Sequence, residues 1–303
     1  MQTLEYLRDP VLRAVYLPGV LAGLATVILC GLVSPLVVVK RLGFIGQGIS
    51  HCAFGGVGVA SLLAAMGLIS LGGTAEFVVI GAFCIAAALG MGLIAERRRT
   101  SEDTTIGLFL VGSMAAGALL VAFARDLAVR LGRPPDGRSW ESILFGQVTG
   151  AGPTEVWLAF IVLALVAFAV FTLRRPLLFW AFDEDAARAF GVPTGAMKAA
   201  LMIILALVVV TAMRTAGVVL ASALLVLPGA TALKLSRRFK PVVALACLIG
   251  VVGLFGGLVL SFENNWQPGP CVVLVMVAMF AAAWLRERLA GAASKPPAAT
   301  VRA

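Results

Sequence analysis

The chain has 303 residues, of which 61% are hydrophobic and 13% are charged, and its mean hydropathy is +1.03. A soluble globular protein carries about 25% charged residues, so this composition excludes a soluble protein and indicates an integral membrane protein. The net charge of +9 is typical of basic loops on the cytoplasmic side of a membrane. No basic surface interleaved with aromatic residues indicates a nucleic-acid partner.

The apolar runs predict membrane-spanning helices rather than the alternating strands of an outer-membrane barrel. The sixth and seventh runs are short and are separated only by Arg214 and Thr215, so they also fit one broken helix. We therefore predict an all-α polytopic membrane protein with eight or nine transmembrane helices, forming a single domain over 1–303. The tail at about 290–303 is rich in Ala and Pro, which predicts disorder. The runs lie at about 17–39, 51–70, 76–95, 105–123, 155–173, 197–213, 216–234, 241–261 and 270–285.

The loops that carry most of the lysine and arginine residues alternate along the chain. The positive-inside rule places these loops in the cytoplasm, together with the C-terminus. Nine spans then put the N-terminus outside, whereas eight spans put it inside. The basic loop residues include Lys40, Arg97, Arg174, Lys234 and Arg286.

The stretch Arg41–Ala60, RLGFIGQGISHCAFGGVGVA, contains the only histidine of the chain and six glycines. A polar patch costs free energy in a membrane unless it lines a water path or pairs with protein. Gln47 and His51 are four residues apart and share a helix face, with Ser50 beside them. Imidazole is the commonest ligand for transition metals, although a lone histidine is more often a hydrogen-bonded structural residue. Two copies of the chain would supply two imidazoles.

The longest loop assigned to the cytoplasm, 174–196, contains a compact helix pattern at about 182–192. Acidic residues fill its first turn, a basic residue follows, and a glycine ends it, which is the charge order that a helix dipole favours. The pattern also fits an ordinary solvated helix. Its key residues are Asp183, Glu184, Asp185, Arg188 and Gly191.

Sequence signatures of enzymes are absent. The chain has no GxxxxGK[ST] phosphate loop, no HExxH and no GxSxG, and a single histidine makes triad chemistry improbable. Intramembrane charge pairs typical of proton-driven carriers are scarce. We therefore expect a transport subunit that is not itself an enzyme, with its energy supplied by a separate chain.

The ordered set of motifs resembles the permeases of metal-ion ABC importers, the zinc, manganese and iron class. The resemblance covers roughly residues 15–286. One departure is clear: the family's usual Asp in the first motif is Gln47 here, a neutral and weaker ligand. The motifs are the Arg41–Ala60 stretch, SEDTTIGLF at 101–109, WESILFGQV at 140–148, FDEDAARAFGVP at 182–193, RTAGVVLASALLVLPGATALKLS at 214–236 and QPGPCVVL at 267–274.

The resemblance implies a homodimeric permease in the bacterial inner membrane, fed from outside by a metal-binding protein and driven by a cytoplasmic ATP-binding subunit. It implies the permease fold of the metal- and cobalamin-type ABC importers, with a divalent transition metal as the transported substrate and no permanently bound cofactor. By similarity to the cobalamin-type importers, the helix at 182–192 is expected to couple the permease to the ATPase. His51 is then the expected metal ligand, with Gln47 and Ser50 on the same pathway. The alternatives are a permease for a metal chelate or organic ligand and a stand-alone secondary carrier.

Overall fold

The computed structural model describes residues 10–96, 101–134 and 152–293. All regular secondary structure in these ranges is helical, which confirms the all-α prediction. The expected interfacial motif at 140–148 and the tail from 294 onward lie outside the described residues. The helices are α1 (Pro10–Val39), α2 (Gly43–Ala65), α3 (Thr74–Glu96), α4 (Glu102–Arg130), α5 (Pro153–Phe182), α6 (Glu184–Ala189), α7 (Thr194–Leu235), α8 (Phe239–Asn264) and α9 (Pro268–Ala293).

Eight of the described helices, all except the six-residue α6, are long and apolar enough to cross a membrane. Their outward faces carry large apolar side chains such as Leu119, Trp157 and Phe168, each more than half exposed. Exposed apolar surface of this kind is expected where lipid rather than water surrounds a helix. The polytopic architecture predicted from the apolar runs is therefore confirmed.

Helix α7 is 42 residues long and bends sharply at Gly217, whose φ is 81° and ψ is 166°. A straight helix of that length would extend about 63 Å, twice the roughly 30 Å hydrocarbon core of a bilayer. The bend therefore divides α7 into two arms, 194–216 and 218–235. These arms correspond to the sixth and seventh apolar runs of the sequence.

The first and the last residues of α7 lie at the same end of the bundle. This is the end at which α1 finishes, immediately before Lys40. Lys198 on the first arm donates to the carbonyl oxygen of Gly92, near the end of α3, at 3.2 Å. On the second arm, Leu225 packs against Gly46 at the start of α2, and Lys234 pairs with Glu287 near the end of α9. We call this end the Lys40 end of the bundle.

Arg214, just before the bend, marks the opposite end of the bundle. Its guanidinium donates to the carbonyl oxygens of Gly72 and Gly73, which precede α3, at 3.1 and 3.2 Å. Helix α7 thus crosses the bundle and returns. When the two arms of α7 are counted as separate passes, α1 begins at the Arg214 end and α9 finishes at the Lys40 end. This is the arrangement expected for nine membrane passes.

Close glycine contacts hold α2 against α4. A Cβ atom added at Gly58 would lie 2.9 Å from the backbone of Gly117, and one at Gly55 would lie 3.3 Å from the carbonyl oxygen of Ser113. The backbones of α2 and α4 therefore touch directly, the packing that small residues permit in membranes. Helices α8 and α9 meet in the same way, with Gly257 against Val272.

Candidate functional site: a polar stripe on α2 and a charged helix at the Lys40 end

One face of α2 is left partly uncovered by the rest of the chain. Phe44 and Gln47 are exposed and His51 is half-buried, whereas the flanking positions are buried. Their spacing of three and four residues places them one above another on the helix surface. The sequence prediction that Gln47 and His51 share a face therefore agrees with the placement of these two residues.

Gln47 lines an open groove of about 600 Å³. The other polar residues of the groove are Arg41, from the α1–α2 connection, and Ser222, from the second arm of α7. The groove lies between the start of α2 and this arm, with α9 contributing a single residue. Its remaining lining residues are Val38, Gly43, Phe44, Val219, Ala223, Val226, Leu227 and Val273.

His51 has no structural hydrogen bond at its Nδ1 atom. That atom is shielded from solvent and has no partner among the described residues, while the ring lies nearly parallel to Phe54 with a centroid distance of 6.3 Å. A histidine ring, whether structural or metal-binding, commonly donates a ring N–H to a backbone carbonyl or a carboxylate. The geometry thus gives no support, at this nitrogen, to the alternative of a hydrogen-bonded structural residue.

Ser50 lies away from the Gln47–His51 stripe. Its side chain is fully buried, and its hydroxyl donates to the carbonyl oxygen of Gly46 in the same helix at 2.9 Å. Cys52, on the other side of His51, is buried against α4, where Ser113 donates to its sulfur at 3.4 Å. The structure therefore brings Gln47 and His51 together and does not bring Ser50 to their face.

A single chain does not complete a metal site within its described part. No group of three or more His, Cys, Asp or Glu side chains that could hold a metal ion occurs in ranges 10–96, 101–134 and 152–293. Gln47 and His51 offer one amide and one imidazole, fewer than the four ligands of a tetrahedral site. Gln47 and His51 therefore do not form a complete metal site by themselves.

The charged helix expected at 182–192 is present as α6. Asp183 caps it by accepting a hydrogen bond from the Ala186 backbone N–H at 2.9 Å, as expected for an N-cap aspartate. Gly191 ends it with a φ of 80°, a conformation that favours glycine. Asp185 and Arg188 are exposed to solvent.

Lys40 was counted in the sequence only as a basic loop residue, yet it contacts α6 directly. Its Nζ atom lies 3.0 Å from Glu184 Oε2 and 3.9 Å from the centre of the Trp180 ring. Partial burial would raise the pKa of Glu184, but the hydrogen bond and positive charge of Lys40, together with Arg188, hold it below its ordinary value. No sequence signal identifies this pair, because its members are 144 positions apart.

Arg214 forms a second polar cluster, at the other end of the bundle. Its guanidinium pairs with Glu155 at the start of α5 at 3.0 Å, and both side chains are largely buried. With its bonds to Gly72 and Gly73, it joins α3, α5 and α7 beside the bend at Gly217. In the sequence, Arg214 marks the break between two apolar runs and the first residue of the motif at 214–236.

The family model described as "ABC 3 transport family" matches residues 13–287, nearly the whole chain. The chain belongs to the ABC 3 transport family. The eight apolar helices of the described ranges, together with this membership, establish a multi-pass protein of the bacterial inner membrane. The family resemblance proposed from the motifs is confirmed.

Similar proteins of this family are known from several bacteria. The chain is 31% identical to "Manganese transport system membrane protein MntC" of Halalkalibacterium halodurans, covering 94% of this chain and 91% of that protein. It is 29% identical to "Chelated iron transport system membrane protein YfeD" of Yersinia pestis, covering 89% and 85%.

A solved structure, "PsaBC from Streptococcus pneumoniae in complex with Fab", has the same fold. It aligns with a TM-score of 0.77 at 24% identity, covering 96% of this chain and 98% of that one. An inward-facing, putative metal-chelate type ABC transporter aligns with a TM-score of 0.62 at 17% identity. These two similarities support the ABC 3 transport fold from the backbone alone.

Proposed function

We propose that this ABC 3 transport family protein is the permease subunit of an ATP-driven importer for a divalent transition metal, working as a homodimer. The observation that carries the proposal is the uncovered α2 stripe, on which Gln47 faces an open groove and His51 has an unbonded Nδ1. Polar groups at membrane depth are tolerated where they line a cavity or face protein. A second copy of the chain over this groove would provide both the cavity and the facing protein surface.

A two-fold dimer axis would place every stripe residue at the interface twice, because such an interface is isologous. Two His51 and two Gln47 side chains would then face one central path. That set supplies two imidazoles and two amide oxygens, enough ligands for a transient metal site. Imidazole suits Zn, Fe and Cu, and oxygen ligands suit Mn.

Energy for transport would come from a separate ATP-binding subunit at the Lys40 end, which the positive-inside rule assigns to the cytoplasm. The sequence contains no phosphate-binding loop of its own. Around α6, Phe182 and Phe190 are 65% and 79% exposed, next to the exposed Asp183, Asp185 and Arg188. Exposed aromatic residues beside charged ones are typical of a protein interface, so α6 is the proposed coupling helix, with Gly191 ending it.

We assign the transported metal to a class, the divalent transition metals. The named relatives transport manganese and chelated iron, so Mn²⁺ is the first substrate to test, followed by Fe²⁺ and Zn²⁺. A metal-binding protein outside the membrane would deliver the metal at the Arg214 end. Family membership makes a stand-alone secondary carrier the weaker alternative.

The experiment is metal uptake by bacterial cells that lack their own importers and express the complete transport system. We expect His51→Ala to lower Mn²⁺ uptake about tenfold or more, a loss typical of a disturbed metal site, at matched protein levels. Cys52→Ala is the matched control, since Cys52 is the next residue on α2 but is buried against α4. Uptake by His51→Ala equal to that of Cys52→Ala would remove His51 from the pathway.

A second candidate substrate is a metal chelate. The groove volume of about 600 Å³ falls in the range of small-molecule pockets, about 300–1,000 Å³, and Gln47 is a neutral ligand better suited to a polar organic group. Adding a chelator that binds the metal completely would abolish uptake of a bare ion. Uptake that persists or rises under those conditions would favour the chelate.

A further inference from the structure

The connection between α1 and α2 is three residues long and has an unusual backbone. Arg41 adopts a left-handed conformation with a φ of 58°, and the Leu42 N–H donates to the carbonyl oxygen of Val37 at 2.8 Å. A residue other than glycine adopts this conformation only where its surroundings hold it. The chain therefore turns from α1 into α2 at a defined and strained point.

Lys40 joins this connection to two other elements. Its ammonium group lies between Glu184, the first residue of α6, and the Trp180 ring near the end of α5. The Lys40 side chain is 15% exposed, and Trp180 is buried. An ammonium group held between a carboxylate and an aromatic face in a partly desolvated site is held more firmly than a surface ion pair.

The same connection leads directly into the groove. Arg41 and Gly43 line it, and Gln47 lies one turn further along α2. Displacement of α6 would therefore reach the α2 stripe through one side chain and three backbone residues. Lys40 and Gln47 are seven positions apart in the chain, and most of the residues between them are helical.

We infer that Lys40 is a positioning residue that transmits movement of α6 to the metal-facing stripe of α2. This inference rests on the proposed function, in which α6 contacts the ATPase and α2 carries the pathway residues. Loss of the Lys40–Glu184 and Lys40–Trp180 contacts would leave the ATPase able to bind and hydrolyse ATP. ATP hydrolysis would then no longer move α2.

The test uses the complete complex, with its ATPase and metal-binding protein, in lipid vesicles, and measures Mn²⁺ entry and ATP hydrolysis in the same sample. We expect Lys40→Met to lower the Mn²⁺ transported per ATP by about fivefold or more, within the range of measured site-to-site couplings. Hydrolysis and co-purification of the ATPase persist. Lys40→Arg, which keeps the charge and the stacking on Trp180, restores the ratio.

The matched control is Lys234→Met, at the same end of the bundle. Lys234 also pairs with a carboxylate, Glu287, at 2.6 Å and lies 5.8 Å from the ring centre of Phe280, but it is remote from the α1–α2 connection in sequence. Equal Mn²⁺ per ATP for Lys40→Met and Lys234→Met would overturn the inference.

A second variant covers the case in which Lys40→Met does not assemble. Glu184→Gln removes the ion pair and keeps the contact between Lys40 and Trp180, so the ratio falls by a smaller factor, and co-purification of the ATPase is measured on the same sample. An unchanged ratio in that variant also overturns the inference. Wild-type vesicles that hydrolyse ATP without taking up Mn²⁺, Fe²⁺ or Zn²⁺ would instead refute the proposed function.

Discussion

The bend of α7 at Gly217 makes a quantitative prediction. Its φ of 81° and ψ of 166° lie in a region that is essentially restricted to glycine, where another residue costs about 1–3 kcal/mol. The helix has no relaxed alternative, because straightening it would produce a rod of about 63 Å. We therefore expect Gly217→Ala to keep the fold and lose this free energy of unfolding. At about 2–4 °C per kcal/mol, the melting temperature would fall by about 2–12 °C.

The assay is thermal unfolding in mild detergent, followed by the reaction of a thiol dye with the buried cysteines Cys30 and Cys84. Gly112→Ala in α4 is the control: nothing lies within 4 Å of a Cβ atom added there, and its backbone is ordinary helix. An alanine in an exposed helix interior is neutral or slightly stabilising. Equal melting temperatures for Gly217→Ala and Gly112→Ala would refute the argument from backbone strain.

The remaining predictions concern the site. Gln47→Asp restores an anionic oxygen ligand, so the Mn²⁺ concentration for half-maximal uptake should fall; a rise would show that this side chain does not approach the metal. Ser50→Ala should transport at nearly the wild-type rate, because its hydroxyl bonds to its own helix; a strong loss of uptake would place Ser50 on the pathway. The pKa of Glu184 lies below its ordinary value of 4.5, so its contribution to stability is full at neutral pH and is lost as the pH falls through the lowered pKa. The difference in melting temperature between wild type and Glu184→Gln should therefore shrink on acidification to about pH 4, and a constant difference would contradict the ion pair.

Apolar content and run length were sufficient to predict the fold class, since lipid accepts few structures other than helices. The number of passes was harder to predict. Two short runs separated by Arg214 and Thr215 fit either one broken helix or two. The structure has one helix broken at Gly217, and the contacts of its two arms show that the chain crosses the bundle and returns, which no pattern of apolar residues encodes. The charged helix at α6 was predictable because its cap, its first-turn acids and its terminal glycine are local signals.

The site was only partly predictable from the sequence. Helical spacing correctly put Gln47 and His51 on one face, but neighbouring Ser50 falls on the buried side of the same helix. The pairing of Lys40 with Glu184 depends on how α1, α5 and α6 meet, which is a tertiary property. Within the described residues no group of three or more His, Cys, Asp or Glu side chains accompanies Gln47 and His51, so no complete ligand set could be read from the sequence.

The backbone contact between α2 and α4 has a consequence for the surrounding lipid. With Gly55 and Gly58 against α4, the two helix backbones touch directly, and the contact between Ser113 and Cys52 adds a side-chain link at the same seam. Any tilt of α2 therefore carries α4 with it, and α4 presents Leu108 and Leu119 outward, both about 70% exposed. A transport cycle that tilts α2 would therefore change the outline of the protein in the bilayer. Acyl-chain length and lateral pressure in the membrane would then influence the turnover rate.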